Sequence, residues 1–562
     1  MTKSNIATTA LRGRTSEDTQ AGSFRTRRAP RASGVTTLRT DLRRLRGVDE
    51  AALDAAGVLH LPCFIAESRH GTVTARGDRT WAAPEQPSGV GSAGWNWDGE
   101  RLRAHTGRYG FRPLFVRRLA DGVAVSPSLA RLAAIGGALP MDDTAMAVFL
   151  RLGFFVGEDT PFRDIRVLPP GGRLEWREGV LSIEATYPRV HASTLSRAAA
   201  IDAYIEVFRD AVRRCAPGEQ TNVVPLSGGR DSRHILFELC ASGFPPERCL
   251  TLRNYPPRGS RDVVVATEIA RAVGVTHEMV DEMPSRVAAE LRKNLITHFC
   301  ADEHAWFMAL ADRLSGQHVA VWDGIAGDVL SNGHRLEVSQ LALARAGNVE
   351  DLAQALLDDS AMRGVPRDVA ARWSRDAAVA RLTDELRHHL DAPNPIGSYL
   401  FWNRTRREIA LVPFGMWNVA ASVRTPYIDP AVYDLLASLP AEMFIDKRFH
   451  PDAIRRAYPA YAYLRFDTET GLRQLRSPNG TPEDAPYYRR LLRDSLAYVA
   501  GARRPRLVRK QYVASRAVYW YLRGDFSDTA LMPLAIYLAQ LDAVARWGAN
   551  RDPDLGIAAD HS

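Results

Sequence analysis

The spacing of apolar and polar residues changes its character near residue 195. Before that point, short apolar runs are separated by Gly and Pro, a pattern typical of strands and turns. Strands are predicted over 58–65, 71–75, 101–105, 113–118, 122–126 and 173–176, with a helix over 142–152. The first half of the chain is therefore expected to be an α+β domain with a strand-rich core.

After residue 195, apolar stripes of helical period alternate with short β-branched runs. The pattern predicts helices over 195–215, 233–241, 261–273 and 286–296, and strands over 222–226, 249–253, 277–280 and 318–322. Such alternation is typical of βαβ units, so we expect a parallel sheet with helices on both faces. Beyond about residue 335 the pattern is mainly helical.

Composition and charge narrow the class of protein. The chain has 562 residues, 46% apolar and 25% charged, as in an ordinary globular protein. A segment rich in Ser, Thr and Arg predicts a disordered tail over 1–35. The formal net charge is +8, but the basic residues are mostly interspersed with acidic ones, which disfavours nucleic acid as a partner. Five cysteines without a CxxC pair, no secretory signal and no long apolar run indicate a cytoplasmic protein without a membrane partner.

The strand predicted over 222–226 runs into Ser-Gly-Gly-Arg-Asp-Ser, residues 227–232, here called the glycine loop. Gly228 and Gly229 allow a sharp turn and a close approach of the backbone to a ligand. Backbone amides at the turn and at the following helix start would then face a phosphate group. The loop matches neither the Walker A ending nor the dinucleotide fingerprint. The alternative is an ordinary turn with Asp and Ser as helix caps.

Charged and hydroxyl groups of two loops predict a metal site. Ser227 and Ser232 add hydroxyl donors to the glycine loop. Asp231 would repel a bare phosphate, so its expected role is to hold Mg²⁺. A second strand ends in Asp-Gly-Ile-Ala-Gly-Asp, residues 323–328, here called the acidic loop. Parallel strands place both loops at one sheet edge, so Asp328 is expected to share the ion with Asp231. A solvated turn is the alternative for the acidic loop.

Several segments of the sequence resemble the asparagine synthetase family. The glycine loop resembles the pyrophosphate loop of the N-type ATP pyrophosphatases. Similar to family phrases are Gly-Phe-Arg-Pro-Leu-Phe at 110–115, Val-Ala-Val-Ser-Pro-Ser at 123–128, the T-x-F-x-x-I-x-x-L-P-P-G stretch at 160–171 and Val-Arg-Thr-Pro-Tyr-Ile-Asp at 423–429. The acidic loop lies where the family has a Gly-rich substrate loop. The resemblance covers about residues 55–470.

The resemblance implies a two-domain ligase that uses ATP and Mg²⁺. Residues 36–190 would form a glutamine amidotransferase-like domain of the Ntn-hydrolase type. Residues 195–550 would form an α/β ATP-pyrophosphatase domain of the adenine-nucleotide α-hydrolase type, which adenylates a carboxylate and couples it to an amine. Leu226 and Leu252 would line the adenine pocket, with Gly324 beside the nucleotide, although buried strand leucines are an equal alternative.

Two departures from the family pattern change the expected chemistry. The family's glutaminase has a Cys directly after the initiator Met, whereas this chain has Thr2, and its first cysteine is Cys63. The amidotransferase-like domain is therefore expected to be inactive. Ile325 stands where the family's substrate loop carries a Glu, which argues against binding the ammonium group of aspartate.

The catalytic groups that the resemblance implies are matched less closely. A catalytic Lys is expected near residues 464–468, which contain none, so Arg465 or the more distant Lys510 is the candidate cation. Glu408, in a helix predicted over 404–411, is the candidate base for the attacking amine. A helix carboxylate paired with its neighbouring arginines is the alternative reading of Glu408.

The sequence therefore predicts an ATP-dependent amide-forming ligase, similar to the lasso-peptide macrocyclases and β-lactam synthetases that lack the glutaminase Cys. Its substrate would be a small-molecule or peptide carboxylate, with a partner protein that delivers a precursor peptide left open. The alternatives are an asparagine synthetase that uses glutamine or ammonia, a tRNA-modifying pyrophosphatase, and an inactive scaffold. Against the scaffold, the glycine loop retains its Asp, both serines and both glycines.

Overall fold

The structure is a computed structural model that describes residues 58–84, 91–215, 220–253, 261–417, 422–469, 485–502, 505–524 and 529–549. The predicted tail over 1–35 lies outside these residues, and the limits of the two predicted domains stay predictions. None of the helices in these ranges combines the length and the apolarity that crossing a bilayer requires.

Ten short strands form two antiparallel sheets in the first part of the chain. They are β1 (Phe64–Arg69), β2 (Thr72–Gly77), β3 (Thr80–Ala82), β4 (Ala93–Trp97), β5 (Arg101–Thr106), β6 (Phe115–Arg118), β7 (Gly122–Ser126), β8 (Ile165–Val167), β9 (Arg173–Arg177) and β10 (Val180–Glu184). The sheet orders are β2-β1-β7-β6-β8 and β10-β9-β5-β4-β3.

The two sheets enclose an apolar layer because their strands alternate inward and outward residues. In β5, Leu102 and Ala104 are buried while Arg103 between them is exposed. Both sheets contribute aromatic rings to the layer, and the ring centroids of Phe64 and Trp97 lie 5.4 Å apart. This region is the strand-rich half that the sequence predicts.

Five further strands form a parallel sheet, as predicted. They are β11 (Thr221–Pro225), β12 (Arg248–Arg253), β13 (Thr276–Asp281), β14 (Val319–Trp322) and β15 (Ser422–Arg424), in the order β13-β12-β11-β14-β15. The chain continues from β11 to β12 on one side and later adds β14 on the other. The carboxyl ends of β11 and β14 therefore flank a topological switch point, where open α/β sheets bind ligands.

Eighteen α-helices pack around the sheets in the described residues. They are α1 (Leu129–Ala133), α2 (Asp143–Leu152), α3 (Arg197–Arg214), α4 (Asp231–Ala241), α5 (Arg261–Val273), α6 (Arg286–Ile296), α7 (Met308–Leu314), α8 (Gly327–Ser331), α9 (Val338–Arg345), α10 (Val349–Leu356), α11 (Arg367–Arg372), α12 (Arg375–Arg387), α13 (Pro395–Leu400), α14 (Pro430–Ser438), α15 (Phe449–Ala457), α16 (Ala485–Gly501), α17 (Lys510–Arg523) and α18 (Leu531–Ala549).

Helix limits follow local capping groups. The carboxylate of Asp142 accepts a hydrogen bond from the amide of Ala145, and α2 then ends at Gly153, whose φ of 86° is left-handed. The hydroxyl of Ser196 caps α3 in the same way. The helices predicted over 142–152 and 195–215 are therefore confirmed to within two residues.

Two predicted elements are wrong. The strand predicted over 58–65 begins only at Phe64, because Pro62 lacks the amide hydrogen that a ladder requires, and Val58–His60 is a 3₁₀ turn. The helix predicted over 404–411 is broken: a π-helical turn covers Phe401–Thr405, and a 3₁₀ turn covers Ile409–Leu411. Sequence periodicity does not reveal such π turns, which often occur at functional sites.

The π-helical turn lies where the two parts of the protein meet. The side-chain oxygen of Asn403 accepts a hydrogen bond of 2.7 Å from the amide of Gly157. The guanidinium of Arg407 donates to the carbonyls of Gly157 and Asp159, the latter at 2.7 Å. Arg406 donates to the carbonyl of Leu168 at 3.2 Å. The two antiparallel sheets, which enclose one apolar layer, are called the sandwich below. Buried guanidinium groups thus fill the boundary between the sandwich and the part of the chain that contains the parallel sheet.

Replacing one of these arginines should destabilise the protein. Arg407→Ala removes the guanidinium that donates to the carbonyl of Asp159 and leaves Gly157 with only the longer bond from Arg406, so we expect the free energy of unfolding to fall by roughly 1–3 kcal/mol. Urea unfolding of the full chain measures this loss. As a control, Arg387→Ala removes a side chain that is 61% exposed, and its loss should stay below about 0.5 kcal/mol. Equal losses in the two variants would contradict a structural role for the boundary.

Candidate active site

The glycine loop and the acidic loop touch each other at the switch point of the parallel sheet. A Cβ atom added to Gly324 would lie 2.7 Å from Cβ of Asp231, and one added to Gly327 would lie 2.6 Å from its Cγ. Any larger residue would therefore push Asp231 away. The predicted proximity of the two loops is present, and the two glycines are needed for it.

The glycine loop is closed by its own side chains. The amide of Ser227 donates to Oγ of Ser232 at 3.0 Å, and the amide of Gly229 donates to Oγ of Ser227 at 3.2 Å. The amide of Gly228 donates to the carboxylate of Asp262 at 2.8 Å. These bonds hold the turn in shape and occupy three of the amides that the sequence assigned to a phosphate. The amides at the start of α4 remain the better candidates, since the residue before it, Arg230, makes no side-chain cap.

Asp231 has the carboxylate of the two loops that is best placed to hold a cation. Its Oδ1 atom is buried and has no hydrogen-bond partner among the described residues. Burial, with the nearby charge of Asp328, raises the pKa of Asp231 well above its usual range. A divalent cation would relieve both costs, and carboxylate oxygens are the ligands that Mg²⁺ prefers. The residues present therefore fit a magnesium ion at this point.

Two aspartates of the acidic loop complete the set of carboxylates. Oδ2 of Asp328 lies 3.3 Å from Nδ1 of His334, and its Oδ1 accepts from the amide of Val329. Asp323, which the metal-site prediction left out, accepts from the amide of Ile325 at 2.7 Å. Burial raises the pKa of Asp323 to about 7. The Asp-Gly pair directly after β14 is the sequence feature that could have identified Asp323 as a site residue.

A buried histidine supports Asp231 from behind. Nδ1 of His450 lies 2.9 Å from Oγ of Ser331 and 3.4 Å from Oδ1 of Asp231. Its Nε2 lies 3.0 Å from Nδ1 of His234. Burial lowers the pKa of His450 well below its usual value, so the ring is neutral. Ser331 also donates to the carbonyl of Gly327, so this network ties both loops together. No local motif indicated His450, which lies on α15.

The predicted nucleotide-pocket leucines lie in the apolar core. Leu226 is buried, and its amide donates to the carbonyl of Leu250 at 2.8 Å. Leu252 packs half-buried against a second apolar cluster. Both positions suit sheet packing, and their role in an adenine pocket stays a prediction.

The segment predicted to carry the catalytic cation folds back onto the glycine loop. The amide of Asp467 donates to the carbonyl of Gly228 at 3.1 Å, and the guanidinium of Arg233 donates to the carbonyl of Arg465 at 2.8 Å. The side chain of Arg465 itself is exposed. Arg230, inside the loop, is a cation that the sequence analysis did not assign, and it donates to the hydroxyl of Thr468 at 3.1 Å.

Lys510 occupies a different part of the fold. Its amine donates to the carbonyls of Ala500 and Ala502, at 3.4 and 2.9 Å, and so caps the end of α16. Among the described contacts, none joins Lys510 to either loop. Its predicted role as the catalytic cation has no geometric support here.

Glu408 is buried beside two nitrogen groups. Nε of Arg404 lies 3.3 Å from its Oε2, and Nδ1 of His304 lies 3.4 Å from its Oε1. Burial raises the pKa of Glu408 well above its usual range, although the charge of Arg404 opposes this. The neighbours expected from the sequence turn away, since Arg406 and Arg407 bond to the sandwich.

Polar contacts link Glu408 to the acidic loop. Arg404 also contacts Nε2 of His334 at 3.3 Å, and His334 in turn contacts Asp328. One donor atom from each of Glu303, His304 and Glu408 lies within 4.8 Å of the others, a second arrangement able to hold a cation. The candidate base and the candidate metal carboxylates therefore belong to one connected polar site.

Comparison with known protein families agrees with the position of this site. The family model for asparagine synthase matches residues 203–515, more than half of the chain. The matched range contains the glycine loop, the acidic loop and Glu408. No curated protein matches the sequence at a significant level.

Asp323→Asn should alter the pH dependence of stability in the metal-free protein. The folded protein keeps the Asp323 proton up to about pH 7, whereas an unfolded chain loses it near pH 4. The contribution of this group to stability is therefore full below about pH 4 and is lost as the pH rises to about 7. Urea unfolding with a chelator present should show a shallower decline between about pH 5 and 7 for Asp323→Asn than for the wild type.

The matched control is Asp210→Asn, which alters a side chain that is 59% exposed on α3 and should keep the wild-type slope. A wild-type slope in Asp323→Asn as well would show that burial of Asp323 does not shift its titration.

Proposed function

Since this chain belongs to the asparagine synthase family, we propose that it joins a carboxylate to an amine in an ATP-dependent reaction that releases AMP and pyrophosphate. The observation that carries this proposal is the contact between the glycine loop and the acidic loop around Oδ1 of Asp231, which accepts no hydrogen bond among the described residues. Both loops lie at the ligand-binding edge of the sheet, and both lie inside the family match.

The first step would be adenylation of the substrate carboxylate. A carboxylate oxygen attacks the α-phosphorus of ATP, the bond to the β-phosphate oxygen breaks, and pyrophosphate leaves. Asp231 and Asp328 would hold the magnesium ion, which when bound neutralises charge on the phosphates. The positive start of α4 and the guanidinium of Arg230 lie beside the same loop and would attract phosphate oxygens.

The second step would be attack of an amine on the acyl carbon, with AMP as the leaving group. We assign Glu408 as the base that takes the amine proton. A carboxylate whose pKa is raised by burial accepts a proton more readily near neutral pH than an exposed one does. The contacts of Arg404 with Glu408 and His334 would hold this base at a set distance from the metal carboxylates.

The amine is proposed to come from the substrate and not from glutamine. The first cysteine, Cys63, is buried, and burial raises the pKa of its thiol to about 11, which makes it a poor nucleophile. Thr2 lies outside the described residues. Arg406 and Arg407 fill the boundary that ammonia would have to cross. These features favour an amidotransferase-like domain of the Ntn type that serves as a scaffold.

The acidic loop argues further against aspartate as the acid. Ile325 of the acidic loop is 3% exposed and belongs to the apolar core, so this position offers no charge to an ammonium group. We therefore favour a specialised-metabolite or lasso-type macrocyclisation, in which one substrate supplies both carboxylate and amine. The proposed substrate is a small molecule or a peptide, and a partner protein that delivers a precursor peptide is compatible with it.

Nucleotide product analysis tests the proposed reaction. The full chain is mixed with Mg-ATP and one acid at a time: aspartate with ammonia or glutamine, small amino-acid derivatives, and peptides with a free carboxylate and amine. AMP and pyrophosphate should form with one acid only, and glutamine should release no glutamate. ADP as the product, or nucleotide turnover independent of the acid, would contradict adenylation.

Asp231→Asn should abolish this turnover without unfolding the protein. The change removes the charge that would hold the metal ion while it preserves the size of the side chain, so AMP formation should fall by roughly a hundredfold or more. Asp210→Asn should keep wild-type turnover. If Asp231→Asn forms AMP at the wild-type rate, the two loops are not the magnesium site.

Glu408→Gln should separate the two steps. The amide resembles the protonated carboxyl in size, so the fold and the exchange of pyrophosphate into ATP should be retained. Amide formation should fall by about 10²–10⁴-fold, because the amine loses its base. In the wild type, amide formation should rise with pH through the elevated pKa of Glu408. Glu442→Gln, at a side chain 61% exposed, is the control, and an equal loss of both steps in Glu408→Gln would reject a role as base.

A further inference from the structure

The excess positive charge of the chain is concentrated in residues 485–524. This stretch contains ten Lys and Arg residues against a single acid, Asp494, while the whole chain has a formal net charge of +8. The remainder of the protein therefore carries slightly more acid than base. Within this stretch, Ala485–Gly501 and Lys510–Arg523 form α16 and α17, which pack against each other.

Helix α17 is apolar on two faces. Val513, Ala517 and Trp520, spaced four and three residues apart, are buried and attach the helix to the protein. Val518 and Leu522, also four residues apart, point to the opposite side and are 50% and 77% exposed. Leu522 is the most exposed large apolar side chain of the described residues. The second face has no partner in the described part of the chain.

Tyrosines and arginines border the exposed face. Tyr519 and Tyr521 are 43% and 47% exposed on its two sides. The guanidinium of Arg523 lies 5.8 Å from the ring centroid of Tyr519, and that of Arg489, on α16, lies 5.7 Å from that of Tyr521. The result is an apolar centre, an amphipathic border and a cationic rim, which we call the α17 face.

We propose that the α17 face binds an anionic lipid surface. Val518 and Leu522 would enter the boundary between head groups and acyl chains, and the tyrosines would lie at the level of the head groups. Arg489 and Arg523 would pair with lipid phosphates and carboxylates. This mode of binding is peripheral and requires no membrane-crossing helix. The sequence predicts no membrane partner because it has no apolar run long enough to cross a bilayer, and a peripheral contact does not need one.

The same observations favour lipid over two other anionic partners. Nucleic acid binding through aromatic residues needs free ring faces for base stacking, whereas guanidinium groups already lie over Tyr519 and Tyr521. An extended acidic peptide would be held best in a groove, whereas Leu522 projects from a helix. A projecting apolar side chain gains most from a surface that deforms around it.

Vesicle sedimentation with the full chain tests this proposal. The vesicles are pure phosphatidylcholine or phosphatidylcholine with about 30% phosphatidylserine. Binding is expected to the anionic vesicles, and to weaken as salt is added. Leu522→Gln should weaken it about tenfold or more, because the buried apolar area is lost. Arg489→Gln with Arg523→Gln should weaken it about 25-fold, since each cation near such a surface contributes about fivefold.

Matched controls keep the outcomes distinct. Val180→Gln changes an apolar side chain that is 72% exposed on β10, and Arg69→Gln with Arg387→Gln removes two cations that are 65% and 61% exposed. Both controls should bind like the wild type. All variants should keep the wild-type thermal unfolding curve, because every altered side chain is exposed.

Three results would overturn the proposal. The first is no sedimentation with anionic vesicles. The second is equal binding by the α17-face variants and their controls, which would place the contact elsewhere, for example in the arginine-rich residues 1–57. The third is that the α17-face variants lose affinity for a single-stranded oligonucleotide or polyglutamate but not for vesicles, which would make the face a site for nucleic acid or protein.

Discussion

The glycine loop and the acidic loop contact each other at the switch point of the parallel sheet, and the rest of the site depends on this contact. Holding Asp231 and Asp328 together costs electrostatic energy, which the surrounding fold must supply. Gly324 and Gly327 make the approach sterically feasible, and the His450 network ties both loops to the core. The packing of the large buried core offsets the repulsion and desolvation of the two carboxylates. A bound cation would remove much of this unfavourable energy.

The backbone also carries strain close to these groups. Ala326 in the acidic loop and His304 beside Glu408 both have left-handed φ values, 70° and 79°, although neither is glycine. Non-glycine residues adopt this conformation when the surrounding structure determines it, often at functional sites. Such φ values also occur elsewhere, for example at His70 and Glu178, but Ala326 and His304 lie beside the candidate metal carboxylates and the candidate base.

The boundary between the two parts of the protein gives the sandwich a physical role. Asn403, Arg406 and Arg407 form hydrogen bonds with its backbone at Gly157, Asp159 and Leu168, and Glu408 follows Arg407 directly in the chain. The position of Glu408 therefore depends on the sandwich, even if that domain has no reaction of its own. In the proposed function, this dependence would give the sandwich a positioning role for the candidate base.

Local signals in the chain, namely periodicity, capping residues and motifs, were enough to predict the parallel sheet, most helix limits and the meeting of the two loops. The sequence did not predict the π-helical turn before Glu408 or the short strands β3 and β4. It also did not predict that the amine of Lys510 caps the end of α16. Each of these depends on groups distant in the chain. His450 contacts Asp231 across more than 200 residues, and the α17 face emerges only when burial distinguishes two apolar sides of one helix. Local sequence patterns cannot show these features, because burial and long-range pairing exist only once the chain has folded.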